Sequence, residues 1–228
     1  MSTATIFGAS GGLARALSTE LLAQGWQVNA VCRAARAQIV REEFALQIQN
    51  KQMHIHLVKN RYTEFQFIEP SDTLILTQAL FEPSPLVEMS QEAIDDEVLV
   101  GLSEPIAITR SFLHTHPSVQ GARRNICFVG STSAYAGFKN TSVYCAVKHG
   151  LLGFVRAMND EYASTDDRFW LFSMGTMMTE MGSKVQGQDA TTYLNPKDVA
   201  KRMVSAILEP SNLFEPEVVI RRRTVKFL

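Results

Sequence analysis

The stretch Ser131 to Lys148, STSAYAGFKNTSVYCAVK, holds a serine, then Tyr144 13 positions later, then Lys148 four positions after that. On a helix, residues i and i+4 share a face with Cβ atoms about 5–6 Å apart, so Tyr144 and Lys148 are neighbours. A free phenol, with a pKa of about 10, is a poor proton donor or acceptor at neutrality. A fixed ammonium nearby favours the phenolate. Bringing the phenol to about 7 requires roughly 4 kcal/mol. One unit charge at about 4 Å supplies about that much at an effective dielectric near 20. The pair is therefore sufficient to act as a general acid/base near neutral pH, and Ser131 is suited to hold a substrate carbonyl or alcohol oxygen. Taken alone, Tyr-x-x-x-Lys reads as an ordinary pair on a solvated helix. The other end of the chain decides between them.

There, Ala4 to Phe7 is a short apolar run followed at once by GASGGLA, Gly8 to Ala14. A helical pattern runs through Leu13, Leu17, Leu21 and Leu22 to Gly25, and Trp26 to Cys32 reads as a second strand. Strand, Gly-rich turn, helix and strand within about 30 residues make the βαβ dinucleotide unit. Gly8, Gly11 and Gly12 let the backbone turn tightly and let a pyrophosphate approach it, while the helix start offers unpaired N–H groups to that anion. After the second strand the chain reads Cys32-Arg33-Ala34-Ala35-Arg36, with no acid until Glu42. An acid there would bind the ribose 2′-hydroxyl. Arg33 can instead pair with a 2′-phosphate, with Arg36 as a lesser candidate, so NADP(H) is expected over NAD(H). The competing reading has both arginines opening a solvated helix from Ala34 to Gln49.

Further strands are expected at Met53 to Val58, Asp72 to Ala79, Ile126 to Val129, Phe169 to Ser173 and Val218 to Ile220. Arg123 to Asn125 reads as a polar lead-in to the fifth strand. Ser90 caps a long amphipathic helix with Ile94, Val98, Leu102, Ile106 and Leu113 on its apolar stripe, and Pro105 predicts a kink or break. The helix of Tyr144 and Lys148 continues to about Tyr162, and Asn195-Pro196 starts a last helix to Leu208. Alternating strands and helices predict a doubly wound parallel α/β sheet of the Rossmann type, with about seven strands and helices on both faces. Ser131 then stands at the carboxyl end of a strand, where such sheets bind ligands. His54 and His56, like His114 and His116, lack a third ligand nearby, so no metal site is expected. Arg221 to Arg223 read as a solvated edge or a subunit contact.

The chain has 228 residues, 46% hydrophobic and 20% charged, with a net charge of −1. That suits one domain over residues 1–228 and gives no electrostatic case for nucleic acid or an anionic membrane. Cys32, Cys127 and Cys145 show no C-x-x-C spacing and read as reduced buried thiols. No apolar run approaches a membrane span, and a strand pattern beginning near Thr3 leaves no room for a signal peptide. A cytoplasmic location is expected.

Together these motifs resemble the short-chain dehydrogenase/reductase family in its single-domain branch, over nearly the whole chain. The family's T-G-x-x-x-G-x-G reads Phe7-Gly8-Ala9-Ser10-Gly11-Gly12-Leu13-Ala14 here, and its Ser and Tyr-x-x-x-Lys match Ser131, Tyr144 and Lys148. The resemblance implies that Tyr144 exchanges the proton and that Lys148 lowers its pKa and bonds the nicotinamide ribose. Ser131 orients the substrate oxygen, and hydride passes directly between nicotinamide and carbon. It implies cofactor contacts at Gly8, Ser10, Gly11, Gly12, Leu13, Arg33, Gln78, Ala79, Tyr144, Lys148, Gly175 and Thr179. The last two lie in Met174-Gly175-Thr176-Met177-Met178-Thr179, which looks like the family's P-G-x-x-x-T. Asp72 matches the family's Asp before the fourth strand. The implied assembly is a homodimer or homotetramer, and the implied substrate a small carbonyl or alcohol.

Departures leave a second reading open. The family's N-N-A-G is Thr77-Gln78-Ala79-Leu80 here, its Asp after the third strand is missing, and its relay Asn on the fourth helix aligns with Gly101. A non-catalytic dinucleotide-binding sensor or partner subunit would tolerate the altered N-N-A-G and the missing Asn, whereas the missing Asp bears on the adenine contact. A nicotinamide-dependent epimerase or dehydratase is a third possibility, although this chain has little length for the larger substrate region those carry. Phe138 and the loop from Met177 to Tyr193 suggest an adaptable apolar substrate lining.

Overall fold

In the computed structural model, residues 2–66, 71–209 and 213–222 are described. Their strands are β1 (Thr3–Phe7), β2 (Gln27–Arg33), β3 (Met53–Val58), β4 (Thr73–Leu76), β5 (Arg124–Ser131), β6 (Asp167–Met174) and β7 (Glu217–Ile220). They form one seven-stranded sheet in the order β3-β2-β1-β4-β5-β6-β7, every neighbouring pair parallel. The helices are α1 (Gly12–Ala23), α2 (Ala37–Glu43), α3 (Ala45–Gln49), α4 (Gln91–Val98), α5 (Glu104–Thr115), α6 (Ser142–Glu161) and α7 (Pro196–Leu208). The expected Rossmann-type doubly wound sheet is what forms.

Alternation along the strands builds two cores. On one face Ala4, Ile6, Val28 and Ala30 pack with Leu17 and Leu21 of α1 and Met203 and Ile207 of α7. On the other, Phe7, Val31, Leu74 and Phe128 meet Ile108 and Phe112 of α5 and Leu151 and Val155 of α6. Strands covered on both sides read as continuous apolar runs, which is why they were legible. The chain leaves β1 in both directions, so the crevice between the carboxyl ends of β1 and β4 is the switch point where this architecture places ligands. Among the described residues no helix is long and apolar enough to cross a membrane.

Four local expectations are corrected. The polar lead-in before the fifth strand is itself strand: Arg124 and Asn125 are buried and lie in register with Asp167 and Arg168 of β6. The expected helix from Ala34 to Gln49 is a 3₁₀ turn (Ala34–Arg36) followed by α2 and α3, broken at Phe44, whose side chain turns into the core. The fourth strand ends at Leu76, because Thr77 leaves the sheet to bond the β1 turn. The long helix after Ser90 is broken, as Pro105 predicts, by a π turn, Leu99–Ser103, just ahead of Glu104 and Pro105. The wider turn absorbs a residue that has no N–H and whose ring clashes with the preceding turn. Its buried face is Glu97, Gly101, Glu104, Pro105, Ile108 and Phe112, whereas Ile94, Leu102 and Ile106 are half-buried and Val98 is exposed. Of the terminal arginines, Arg223 lies outside the described residues.

Candidate active site

The β1–α1 turn comes first. Gly8 sits at φ +75° and accepts a 2.8 Å hydrogen bond from the Gly11 N–H. A Cβ on Gly8 would stand 2.7 Å from Thr77 Oγ1 and 3.0 Å from the Gln78 nitrogen, and one on Gly12 would stand 3.0 Å from Thr179 Cγ2. Gly11 caps α1 without a side chain, so the first N–H groups of that helix face the turn unscreened. Beside it, Gln78 is buried with neither side-chain polar atom paired among the described residues. Bare glycines, open N–H groups and an orphaned amide fit a dinucleotide pyrophosphate and its ribose. Ser10 and Ala79 are half-buried on this edge, and Leu13 anchors the turn in the core. Gly8→Ala meets both a left-handed backbone, costing about 1–2 kcal/mol, and the Thr77 contact. It is expected to lower Tm and to weaken dinucleotide binding at least about tenfold, the equivalent of about 1.4 kcal/mol, as read by a melt and a fluorescence titration.

Arg33 ends β2, exposed, with its side chain hydrogen-bonded to Tyr62. Arg36 is instead ion-paired at 2.5 Å with Glu180, in the segment after β6. Of the two arginines, Arg36 is thus tied to the substrate-side loop. That loop is also held by Lys184, which donates to the Phe81 carbonyl at 3.3 Å and pairs with Glu82. Gly175 donates to the Ile220 carbonyl at 2.8 Å, and Thr179 Oγ1 accepts from the Gly182 N–H at 3.1 Å. Phe138 is 51% exposed and Met178 equally so, leaving apolar surface at the mouth.

The serine, tyrosine and lysine do come together. Ser131 is the last residue of β5, and its Oγ accepts from the Ser133 N–H at 3.1 Å. The hydroxyls of Ser131 and Tyr144 hydrogen-bond to each other. Lys148, one turn on along α6, is 2% exposed; its Nζ donates to the Val129 carbonyl at 3.0 Å and lies 5.5 Å from the Tyr144 ring centroid. Phe81 packs edge-on against Tyr144, with centroids 4.8 Å apart.

The electrostatics of the folded site correct the expectation of a phenol near neutrality. Burial pushes Tyr144 up to about 12; the Ser131 hydrogen bond pulls the other way, and the negative charge of Glu97 adds to the rise. Burial also lowers Lys148 to about 8, while Glu97 opposes that fall. A lone i,i+4 pair would leave Lys148 in full control of the phenol. In the folded chain desolvation is the larger effect on both groups.

Comparison with known proteins agrees with this geometry. The family model for short chain dehydrogenase matches residues 2–190. The chain belongs to the short-chain dehydrogenase family. A sepiapterin reductase of Chlorobaculum tepidum is 30% identical over 97 residues, covering 42% of this chain and 40% of that protein. A 3-oxoacyl-acyl-carrier-protein reductase of Buchnera aphidicola is 26% identical over 201 residues, covering 85% of this chain and 80% of its own. An alcohol dehydrogenase from the archaeon Thermococcus sibiricus, solved with 5-hydroxy-NADP, superposes with a TM-score of 0.83 at 20% identity, covering 100% of both chains.

This member of the family carries, beside the triad, one buried residue that the motifs do not mark. Glu97, in the last turn of α4, is 2% exposed. It accepts from the Glu82 backbone N–H, its Oε1 has no hydrogen-bond partner among the described residues, and burial pushes its pKa up to about 7. Its signal in the sequence was an acid three residues after Ile94 and four before Gly101, on the face that turns inward.

Proposed function

We propose that this chain is an NADP(H)-dependent oxidoreductase interconverting a carbonyl and an alcohol, with Tyr144 as the general acid/base. The observation that carries the reading is the Ser131–Tyr144 hydrogen bond backed by buried Lys148, on the sheet edge that also bears the Gly8 turn. Gly8, Gly11, Gly12 and Thr179 would hold the pyrophosphate and nicotinamide half of the cofactor, and Arg33 a 2′-phosphate. When bound, the nicotinamide supplies or accepts a hydride. Ser131 Oγ orients the substrate oxygen, Tyr144 Oη gives that oxygen a proton in reduction or takes one in oxidation, and the Lys148 ammonium stabilises the phenolate left behind. Support for the dinucleotide class comes also from the Thermococcus sibiricus relative, solved with 5-hydroxy-NADP. Preference for the phosphorylated form rests on Arg33 and on the lack of an acid between Arg33 and Arg41.

The test is a fluorescence titration with NADPH and NADH, followed by a panel of ketones and aldehydes with NADPH. NADPH oxidation by any panel member supports the reading; tight NADPH binding with no reduction favours the dinucleotide-binding sensor or partner subunit. Arg33→Ala should cost one or two charge-assisted hydrogen bonds, about 1.5–3 kcal/mol, or roughly 10–100-fold in NADPH affinity, with NADH little changed. Equal losses for both nucleotides would remove the basis for the preference. A homodimer or homotetramer is part of the same reading, checked by light scattering on the purified protein.

A further inference from the structure

We propose that Glu97 is the carboxyl group through which Tyr144 and Lys148 exchange their proton with solvent. The inference rests on the reading of Tyr144 as acid/base. Packing does not explain where Glu97 stands. α4 carries Glu92, Asp95 and Asp96 on exposed positions, yet Glu97 is 2% exposed with Oε1 unpaired among the described residues. Burying a carboxyl with half its hydrogen-bonding capacity unmet is costly, and an aliphatic residue would fill the same place more cheaply. α4 packs on α6, and the charge on Glu97 acts on both Tyr144 and Lys148.

The residue one turn further on explains why the acid stands at 97. Gly101 lies in the π turn, and a Cβ there would meet Val147 Cγ1 at 2.6 Å. No side chain fits at 101 without moving Val147, so any polar group this helix offers Lys148 has to come from the preceding turn. Glu97 occupies that turn.

The groups facing Glu97 are Glu82 from the segment after β4, Tyr144 and Lys148 from α6, and Lys184 from the loop after β6. The Lys184 ammonium is committed to Glu82 and the Phe81 carbonyl. Lys148 is therefore the cation left to share a proton with Glu97. In reduction, a bound nicotinamide would supply the hydride to the carbonyl carbon, and the Tyr144 Oη proton goes to the carbonyl oxygen. The phenolate recovers its proton from Lys148 Nζ, and the resulting amine takes one from the Glu97 carboxyl across an intervening water, because Lys148 Nζ is bonded to Val129 and Glu97 Oε1 has no direct partner among the described residues; the carboxylate then takes one from water. Oxidation runs the chain backwards. Glu97 acts through Lys148 and touches no reacting atom, so it is a positioning residue. A carboxyl held near 7 can both keep and release a proton at neutral pH.

The test uses the full chain with NADPH and a carbonyl compound that the wild type reduces. Glu97→Gln should leave the first turnover within about threefold of wild type but slow later turnovers about 10²-fold, giving a burst of one NADPH oxidised per site. Because Glu97 must be protonated to deliver, wild-type kcat for reduction should fall as pH rises through about 7, a limb absent from Glu97→Gln. Carboxyl ¹³C NMR of the protein without nucleotide should show a glutamate titrating near 7 that vanishes in Glu97→Gln. Should Glu97→Gln not fold, Glu97→Asp must keep the pH limb. Overturning results are unchanged turnover and pH profile in Glu97→Gln, a first turnover slowed as much as the later ones, or a Glu97 midpoint in the ordinary range of about 4–5. A wild type that reduces no carbonyl overturns the oxidoreductase reading itself, and this inference with it; a wild type that turns over beside an indistinguishable Glu97→Gln overturns this inference alone.

Discussion

Tyr144→Phe is expected to lower the rate of carbonyl reduction by about 10²–10⁴-fold, the usual contribution of a positioned general acid, while NADPH affinity stays within about twofold, under 0.5 kcal/mol. The substitution removes one oxygen and little else. The ring that Phe81 packs against at 4.8 Å remains, and Lys148 keeps its hydrogen bond to Val129. What disappears is the hydroxyl bonded to Ser131. With its pKa held up at about 12 by burial, Tyr144 rests as the protonated phenol at every physiological pH. That is the form reduction consumes. Alcohol oxidation first needs the phenolate, so in the wild type its rate should rise with pH where the reductive rate does not. Steady-state kinetics of Tyr144→Phe beside wild type, with NADPH binding measured on both, checks the expectation. A variant that still reduces carbonyls at the wild-type rate would exclude Tyr144 as the acid and leave the Ser131–Tyr144 bond a structural one.

How far the sequence reached can be seen residue by residue. Gly8, Gly11, Gly12, Ser131, Tyr144 and Lys148 were legible because each belongs to a short motif whose residue types are forced by local chemistry: a tight turn, an open helix start, an i,i+4 pair. The strands were legible because burial on both faces leaves only apolar runs. Glu97 and Arg124 were not legible, for a common reason. A buried charge looks like a surface charge until its surroundings are known, and those come from elsewhere in the chain. Glu97 faces α6 and the segment after β4, and Arg124 faces β6, at 43 residues' separation from its partner. The acidity of Tyr144 is hidden for the same reason: the charge on Lys148 is written in the sequence, but the desolvation of both groups is not. The inward face of the helix after Ser90 lies one position from its apolar stripe, because it is built largely of Glu97, Gly101 and Glu104 rather than of aliphatic residues.

Arg124 also sets the largest stability effect expected here, in Asp167→Asn. Arg124 Nε donates to Asp167 Oδ1 at 2.7 Å, and Nη2 donates to Oδ2 and, at 2.9 Å, to Ser118 Oγ. Nη1 donates to the His116 carbonyl, and the guanidinium lies 5.3 Å from the Phe112 ring centroid. Both side chains are nearly inaccessible, 9% and 1% exposed. Replacing such a pair with apolar residues can be neutral, but removing one partner strands the other as an uncompensated buried charge, at about 3–5 kcal/mol. In a chain of this size each kcal/mol moves Tm by about 2–4 °C, so Asp167→Asn should melt roughly 6–20 °C below wild type. A double variant, Arg124→Met with Asp167→Leu, should recover much of that loss, because it leaves no buried charge unpaired. Arg124 opens β5 and Ser131 closes it, so the pair stands about 23 Å from the triad at about 3.3 Å per residue. NADPH oxidation per folded molecule, measured well below the melting range, should therefore match wild type. Heat melts of the single and double variants decide the matter: if the double variant is no more stable than Asp167→Asn, the cost lies in lost packing and hydrogen bonds at the sheet's amino end rather than in the stranded guanidinium.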